Sequence, residues 1–155
     1  MKTSLCCDVL KALKGKTLVT AESLTGGGIG AAITGVSGAS EVYKGGVISY
    51  TNAVKETVLG VPADVLETYG AVSSQTAGYM ATGVRKLMNA DIAVSVTGLA
   101  GPGGDEYGNP VGTVFLGYED TKQAEVRHFV FSGTREEVRN QTIEAALHMI
   151  LEHNR

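Results

Sequence analysis

The chain has no apolar run of membrane length, and its opening stretch Met1-Lys2-Thr3-Ser4-Leu5 is interrupted by Asp8 and Lys11 before a signal-type apolar core can develop. Neither a membrane segment nor an export signal is expected, and the cytoplasm is the expected location. Cysteine is nearly absent: Cys6 and Cys7 are adjacent. Neighbouring residues point in different directions, which makes them a poor disulfide or metal pair and suggests a reducing compartment. Cation clusters are missing too. With a net charge of -3 and no concentrated patch of Lys and Arg, the chain lacks the means to neutralise a phosphate backbone, so no nucleic-acid partner is expected. Histidine is scarce. His128 lies in a probable strand, while His148 and His153 are five apart on the terminal helical segment, a spacing that spoils a zinc pair on one helix face. No long polar tract, internal repeat or dividing linker interrupts the 155 residues, so one domain spanning 1–155 is expected.

What remains is a globular composition, 43% hydrophobic and 19% charged. Its periodicity alternates between helix and strand. Leu5, Val9, Leu10 and Leu13 share a face of a helix predicted over Ser4 to Leu13 and stopped at Gly15. A strand ends at Ser23, and a helix runs through Ile33. Val42 to Tyr50 reads as a strand in which Gly45-Gly46 marks a bulge or a close approach. Asn52 then opens a short helix carrying Lys55, Pro62 starts another near Ala63 to Thr68, and Ser73 or Ser74 caps a longer one through Met88. The inner face of that helix is expected to hold Thr76, Ala77, Met80, Ala81, Val84 and Leu87. Ile92 to Gly98 reads as a buried central strand, and Val111 to Tyr118 with Glu125 to Phe131 as an antiparallel hairpin. Thr134 and Glu137 have capping-box spacing ahead of a final helix with Val138, Ile143, Ala146, Leu147 and Ile150 inside. The predicted fold is α/β, a mixed β-sheet flanked by helices.

Two glycine-rich corners attract chemical interest. In Thr20-Ala21-Glu22-Ser23-Leu24-Thr25-Gly26-Gly27-Gly28, Ser23 stands on a strand-to-helix turn near backbone N–H groups that favour an anion. Ser23 or Thr25 serves there either as a helix cap or as part of a reactive site. A serine nucleophile needs a base, and the histidines are badly placed for it. Lys55 is the other option. An amine near pKa 10.4 acts as a base at neutral pH only if burial depresses it by roughly three units, and Val54, Val58 and Leu59 provide apolar neighbours; a solvated helix lysine is the alternative. Tyr50 is either a phenol facing the same cleft or an amphipathic core edge. The second corner, Thr97 to Gly104, follows the central strand and is either a tight turn or a cradle for phosphate or ribose. Asn52, Thr97 and Gly98 are binding candidates on that account. No Gly-Lys-Ser/Thr follows, so it is no Walker motif. Arg139 could reach a phosphate or form a surface ion pair. Asp105 and Glu106 are read as solvent-facing loop acids, and no metal or cofactor is expected.

The segments TAESLTGGG, GGVISYTNAVKETVLGV, GAVS, SVTGLAGPGG and PVGTV, in that order, resemble the CinA C-terminal domain family, and the similarity runs from about Leu5 to Leu151. The resemblance implies nicotinamide-nucleotide amidohydrolase activity: hydrolysis of the carboxamide of nicotinamide mononucleotide to nicotinate mononucleotide and ammonia by a serine–lysine mechanism. It implies Ser23 as nucleophile, Lys55 as its base and Tyr50 as a residue that relays or orients the proton. Leu24, Thr25 and Gly26 are the implied sources of oxyanion donors. The family also implies a homo-oligomer. Three positions depart from the family's habit and bear on ligand fit: Leu24 replaces a common cysteine, Gly28 a larger side chain, and Asn109 a frequent lysine. The separate N-terminal domain of long family members has no counterpart in these residues, so its activity is not expected. Two other readings compete with the enzyme, a nucleotide-binding or regulatory module without turnover, and an interaction protein linked to competence or DNA damage.

Overall fold

A computed structural model describes residues 2–155. All five strands belong to one sheet, β1 (Leu18–Glu22), β2 (Tyr43–Ile48), β3 (Ile92–Gly98), β4 (Thr113–Glu119) and β5 (Ala124–Val130), in the order β2-β1-β3-β4-β5. β2, β1 and β3 run parallel, whereas β4 and β5 are added antiparallel, as the hairpin pattern predicts. The sheet is therefore mixed. β1 and β3 are buried along almost their whole length, which explains why β3 reads as a nearly continuous apolar run.

Strand period two sorts their side chains between two layers. Leu18, Ile92, Val94 and Val96 pack with Val9 and Leu13, with Ile29 and Ile33, and with Val138, Leu147 and Ile150. Those partners come from or adjoin α1 (Lys2–Ala12), α2 (Gly28–Thr34) and α6 (Arg135–Asn154). Val19, Ala21 and Ala93 face the other way, onto Met80 and Val84 of α5 (Ser74–Met88) and Leu66 of α4 (Ala63–Tyr69). Ser95 also points to α5, where its hydroxyl donates to the Ala77 carbonyl at 2.6 Å. Removing a large aliphatic side chain from either layer would cost about 2–5 kcal/mol.

Several boundaries differ from the sequence reading. α1 starts at Lys2 and ends at Ala12 rather than covering Ser4 to Leu13. β2 stops at Ile48, and its register against β1 shifts at the first glycine; at Gly46 a Cβ would lie 2.3 Å from Thr20 Oγ1. Both a bulge and a close approach are thus present. β4 begins at Thr113 because Gly112 has φ +92°, and a Cβ there would lie 1.9 Å from the Phe131 carbonyl oxygen. Leu87 is 55% exposed, so it does not belong to the inner face of α5. The buried set Ala77, Met80, Ala81 and Val84 continues at i+4 to the partly buried Met88, as a 3.6-residue period requires. Ser73, rather than Ser74, caps α5 by accepting from the Thr76 amide. Thr134 and Glu137 form the complete capping box of α6.

The parallel strands bring the ends of β1, β2 and β3 to one rim of the sheet. The chain leaves β1 into Ser23, leaves β2 into Ser49 and α3 (Asn52–Thr57), and leaves β3 into the second glycine-rich loop. In open α/β sheets ligands bind beyond such strand ends.

Candidate active site

Ser23 and Lys55 are separated by 32 residues but meet at that rim. β1 and β2 are in parallel register through Glu22 opposite Ile48, so Ser23 and Ser49 emerge side by side. The Ser49 amide donates to the Glu22 carbonyl at 2.7 Å and extends the pairing one step beyond the strands. Thr51 then caps α3 by accepting from the Val54 amide, and the first turn of the helix points Lys55 back toward β1. Lys55 Nζ lies 3.0 Å from Ser23 Oγ and donates to the Ser49 carbonyl at 2.7 Å.

Lys55 is 1% exposed and Ser23 7%. Burial lowers the Lys55 amine from its ordinary 10.5 to about 8, because desolvation penalises the ammonium. At pH 7 about one amine in ten is then neutral, against about three in ten thousand for an unperturbed lysine. The solvated helix lysine is excluded. In its neutral form the nitrogen keeps two N–H donors, one for Ser49, and offers its lone pair to the Ser23 hydroxyl.

The pair opens into a cavity of about 630 Å³. Ser23, Leu24, Tyr50, Asn52, Lys55, Thr97 and Gly98 all line it. Thr97 is held by its hydroxyl, which donates to the Ala71 carbonyl at 2.7 Å, and Gly98 carries no side chain because a Cβ would lie 2.6 Å from the Thr113 carbonyl oxygen. Tyr50 is 58% exposed, and among the described residues its hydroxyl is bonded to Arg135 rather than to Ser23 or Lys55. Its ring forms part of the mouth.

Thr25, Gly26 and Arg139 do not line the cavity. The Thr25 hydroxyl donates to Glu22 Oε1 at 2.7 Å, and the Gly26 amide donates to the Ser23 carbonyl at 3.0 Å. Arg139 donates from Nε to the Leu24 carbonyl and from Nη2 to the Thr25 carbonyl, at 2.9 and 3.1 Å. The amides at the start of α2 are also occupied, those of Ile29 and Gly30 donating to the Glu22 carboxylate at 2.8 and 2.9 Å. The expected anion position at the start of that helix is therefore filled by the protein's own carboxylate. Thr20 Oγ1 supplies a fourth donor to it, so the side chain of Glu22, a residue only 2% exposed, is buried with its hydrogen-bonding needs met.

Three contributors escaped the sequence reading. Glu22 precedes α2 by too many residues to look like a cap, Ser49 acts through its main chain, and Arg135 is one helical turn from Arg139. The guanidinium of Arg135 reaches the cavity wall, where Nη1 donates to the Gly101 carbonyl at 2.6 Å and Nη2 to Tyr50 Oη at 3.2 Å. The signal available for Arg135 was its i,i+4 relation to Arg139, which puts both on one face of α6. Among the described residues no histidine lines the cavity; His128 stacks on Phe115, and His153 stacks on Tyr118 and bonds Glu125. No group of three potential metal ligands occurs among the described residues, and none of their helices is long and apolar enough to cross a membrane.

The CinA C-terminal domain profile matches residues 3–153. The chain belongs to this family. A putative competence-damage inducible protein of Thermoanaerobacter sp. is 47% identical over 134 residues, covering 86% of this chain and 32% of the relative. A protein of the same name from Bacillus pumilus is 43% identical over 152 residues, or 97% of this chain and 36% of the relative. The chain thus spans about a third of the length of these two relatives. Among solved structures, a CinA superfamily protein from Klebsiella pneumoniae superposes with a TM-score of 0.95 at 36% identity, covering 98% of this chain and 96% of that one. The competence/damage inducible protein CihA from Agrobacterium tumefaciens gives 0.92 at 38% identity, covering 99% and 96%. The α/β fold is that of the CinA superfamily.

Proposed function

We propose that this CinA domain is an amidohydrolase that converts nicotinamide mononucleotide to nicotinate mononucleotide and ammonia. The observation that carries the reading is the buried Lys55 amine, 3.0 Å from the Ser23 hydroxyl in the wall of a cavity. A neutral lysine beside a serine is an arrangement for generating an alkoxide, whereas a binding module has no use for a desolvated amine against a hydroxyl. The cavity volume lies within the roughly 300–1,000 Å³ typical of small-molecule sites.

In the proposed reaction Lys55 takes the Ser23 proton as Oγ attacks the carboxamide carbon. The C=O electron pair moves to oxygen, and the resulting oxyanion is received by amides of the turn after Ser23. Those of Gly26, Gly28, Ile29 and Gly30 are already bonded to the turn or to Glu22; the Leu24 amide, whose residue lines the cavity, and the Thr25 amide next to it in the chain are assigned this role. Lys55 passes its proton to the departing nitrogen, and ammonia leaves. Water, deprotonated by the same amine, then hydrolyses the acyl-serine and restores Ser23. Arg135 is the guanidinium on the cavity wall and is assigned to the substrate phosphate, in place of Arg139. Asn52 and the Thr97–Gly98 corner contact the remainder of the nucleotide.

Incubation of the purified protein with nicotinamide mononucleotide, with ammonia and nicotinate mononucleotide measured together, tests the reading. Equal formation of both products is expected, with losses of about 10²–10⁴-fold in Lys55→Ala and no acyl intermediate in Ser23→Ala. Undiminished turnover in both variants would exclude the pair as the machinery. Saturable nucleotide binding without wild-type turnover would instead identify a non-catalytic module.

A further inference from the structure

Arg139 has the reach of a substrate ligand, yet its donors go to the backbone of the corner that carries the nucleophile. It crosses from α6 to grip two consecutive carbonyls, Leu24 and Thr25, immediately after Ser23. Gly26 completes the turn with a φ of +58°, a left-handed conformation that favours glycine, and Arg139 Nη2 packs at ordinary contact distance beside it, 3.5 Å from where a Cβ would stand. Among the described residues Arg139 has no carboxylate partner.

We propose that Arg139 is a positioning residue that sets the oxyanion donors of the Ser23 corner. This inference rests on the amidohydrolase reading above. A trans peptide is planar, with its N–H antiparallel to its C=O. Holding the Leu24 carbonyl therefore fixes the direction of the Thr25 N–H. Holding the Thr25 carbonyl fixes the Gly26 N–H, which donates to the Ser23 carbonyl, and the Ser23 carbonyl belongs to the same peptide unit as the Leu24 N–H. One guanidinium thus orients both amides assigned to the oxyanion, the Thr25 N–H directly and the Leu24 N–H through the Gly26 hydrogen bond, and its charge polarises the Leu24–Thr25 peptide unit so that the Thr25 N–H donates more strongly. The opposite side of the corner is anchored by Glu22, which holds the Thr25 hydroxyl and the Ile29 and Gly30 amides. The corner is clamped between a cation and a carboxylate before substrate arrives, so little reorganisation is left for the transition state.

The test compares wild type with Arg139→Ala, Arg139→Gln and Arg139→Lys in two assays. In turnover of nicotinamide mononucleotide, kcat is expected to fall about 10–100-fold in Arg139→Ala, with KM within about twofold. Added guanidinium should restore part of kcat in Arg139→Ala only, and Arg139→Lys should stay impaired because a point charge cannot bridge both carbonyls. The second assay needs no natural substrate: the rate at which a fluorophosphonate phosphonylates Ser23 Oγ, with loss of fluoride, is followed by intact mass, with Ser23→Ala as the blank. That rate should fall and recover in parallel with kcat. If the wild type fails to hydrolyse the nucleotide but labelling shows this pattern, the substrate assignment falls and the role of Arg139 stands. A raised KM with unchanged kcat would make Arg139 a substrate ligand and overturn the proposal. Unchanged labelling in a folded variant, or no labelling of the wild type, would overturn it as well. Should Arg139→Ala not fold, the Gln and Lys variants decide.

Discussion

Replacing Lys55 by Met should make the protein more stable at neutral pH while abolishing its chemistry. The amine is buried, and burial holds it at about 8 against an ordinary 10.5. The unfolded chain keeps the ordinary value, so between pH 8 and 10.5 it binds more protons than the folded chain, and wild-type stability rises with pH across that window. Below pH 8 both states are protonated and the whole penalty is felt. The difference between 10.5 and about 8 corresponds to about 3 kcal/mol. Methionine is close in volume and carries no charge, so Lys55→Met removes the penalty and loses chiefly the hydrogen bond to the Ser49 carbonyl, which contributes about 1 kcal/mol. A net gain of about 2 kcal/mol is expected at pH 7, or on the order of 1 M in urea midpoint. The advantage should shrink as pH rises from 8 and reverse at about pH 10, where the remaining penalty falls below the about 1 kcal/mol of the lost hydrogen bond. Urea unfolding of both proteins at pH 6, 7, 8, 9 and 10 checks this, and groups common to both cancel in the difference. A difference that does not change with pH, or a wild type more stable at pH 7, would refute the buried-amine argument.

The same amine should shape activity: kcat/KM for nicotinamide mononucleotide is expected to rise about tenfold per pH unit from pH 6 and to level near pH 8, and a profile flat over that range would remove Lys55 as the base. Arg135→Gln should raise KM for the nucleotide about 10–100-fold, the worth of one charge-assisted contact, while leaving hydrolysis of the phosphate-free riboside unchanged; equal effects on both compounds would count against a phosphate role. Gly83→Ala should destabilise the fold by about 1–3 kcal/mol although alanine normally favours a helix, because its Cβ would lie 1.9 Å from the Leu59 carbonyl oxygen; a thermal melt that rises would show that α5 and the Leu59 segment can move apart.

The elements were largely legible because each is set by local periodicity and capping. The nearly continuous apolar segment around Ile92, Val94 and Val96, the capping box at Thr134 and Glu137, and the helix opening at Asn52 are all short-range patterns, and their counterparts are present in the fold. Leu87 went astray because i+3 and i+4 are both allowed on a helical face, and only the position of the sheet selects Met88. The Ser23–Lys55 contact is of another kind. It depends on β1 and β2 being parallel neighbours with Glu22 opposite Ile48, a register that neither segment encodes alone, and its prediction came from family resemblance.

The two arginines of α6 show where a single sequence stops discriminating. Arg135 and Arg139 have the same charge, the same reach and the same helix face, and the sequence reading singled out Arg139, for a phosphate or a surface ion pair. What separates them is one turn of rise, about 5.4 Å. At Arg139 the nearest acceptors are the Leu24 and Thr25 carbonyls, so the guanidinium is consumed by the backbone of the nucleophile's corner. At Arg135 the acceptors are the Gly101 carbonyl and Tyr50 Oη, both from residues that line the cavity, and the guanidinium remains in the wall. Glu22 underwent the converse reassignment. Its carboxylate fills the start of α2, which removes the Ile29 and Gly30 amides from catalysis and leaves the Ser23 turn itself as the place where an oxyanion can be received. On the proposed reading the charges around the nucleophile divide by function: Glu22 and Arg139 fix its backbone, Lys55 moves its proton, and Arg135 is the guanidinium in the cavity wall.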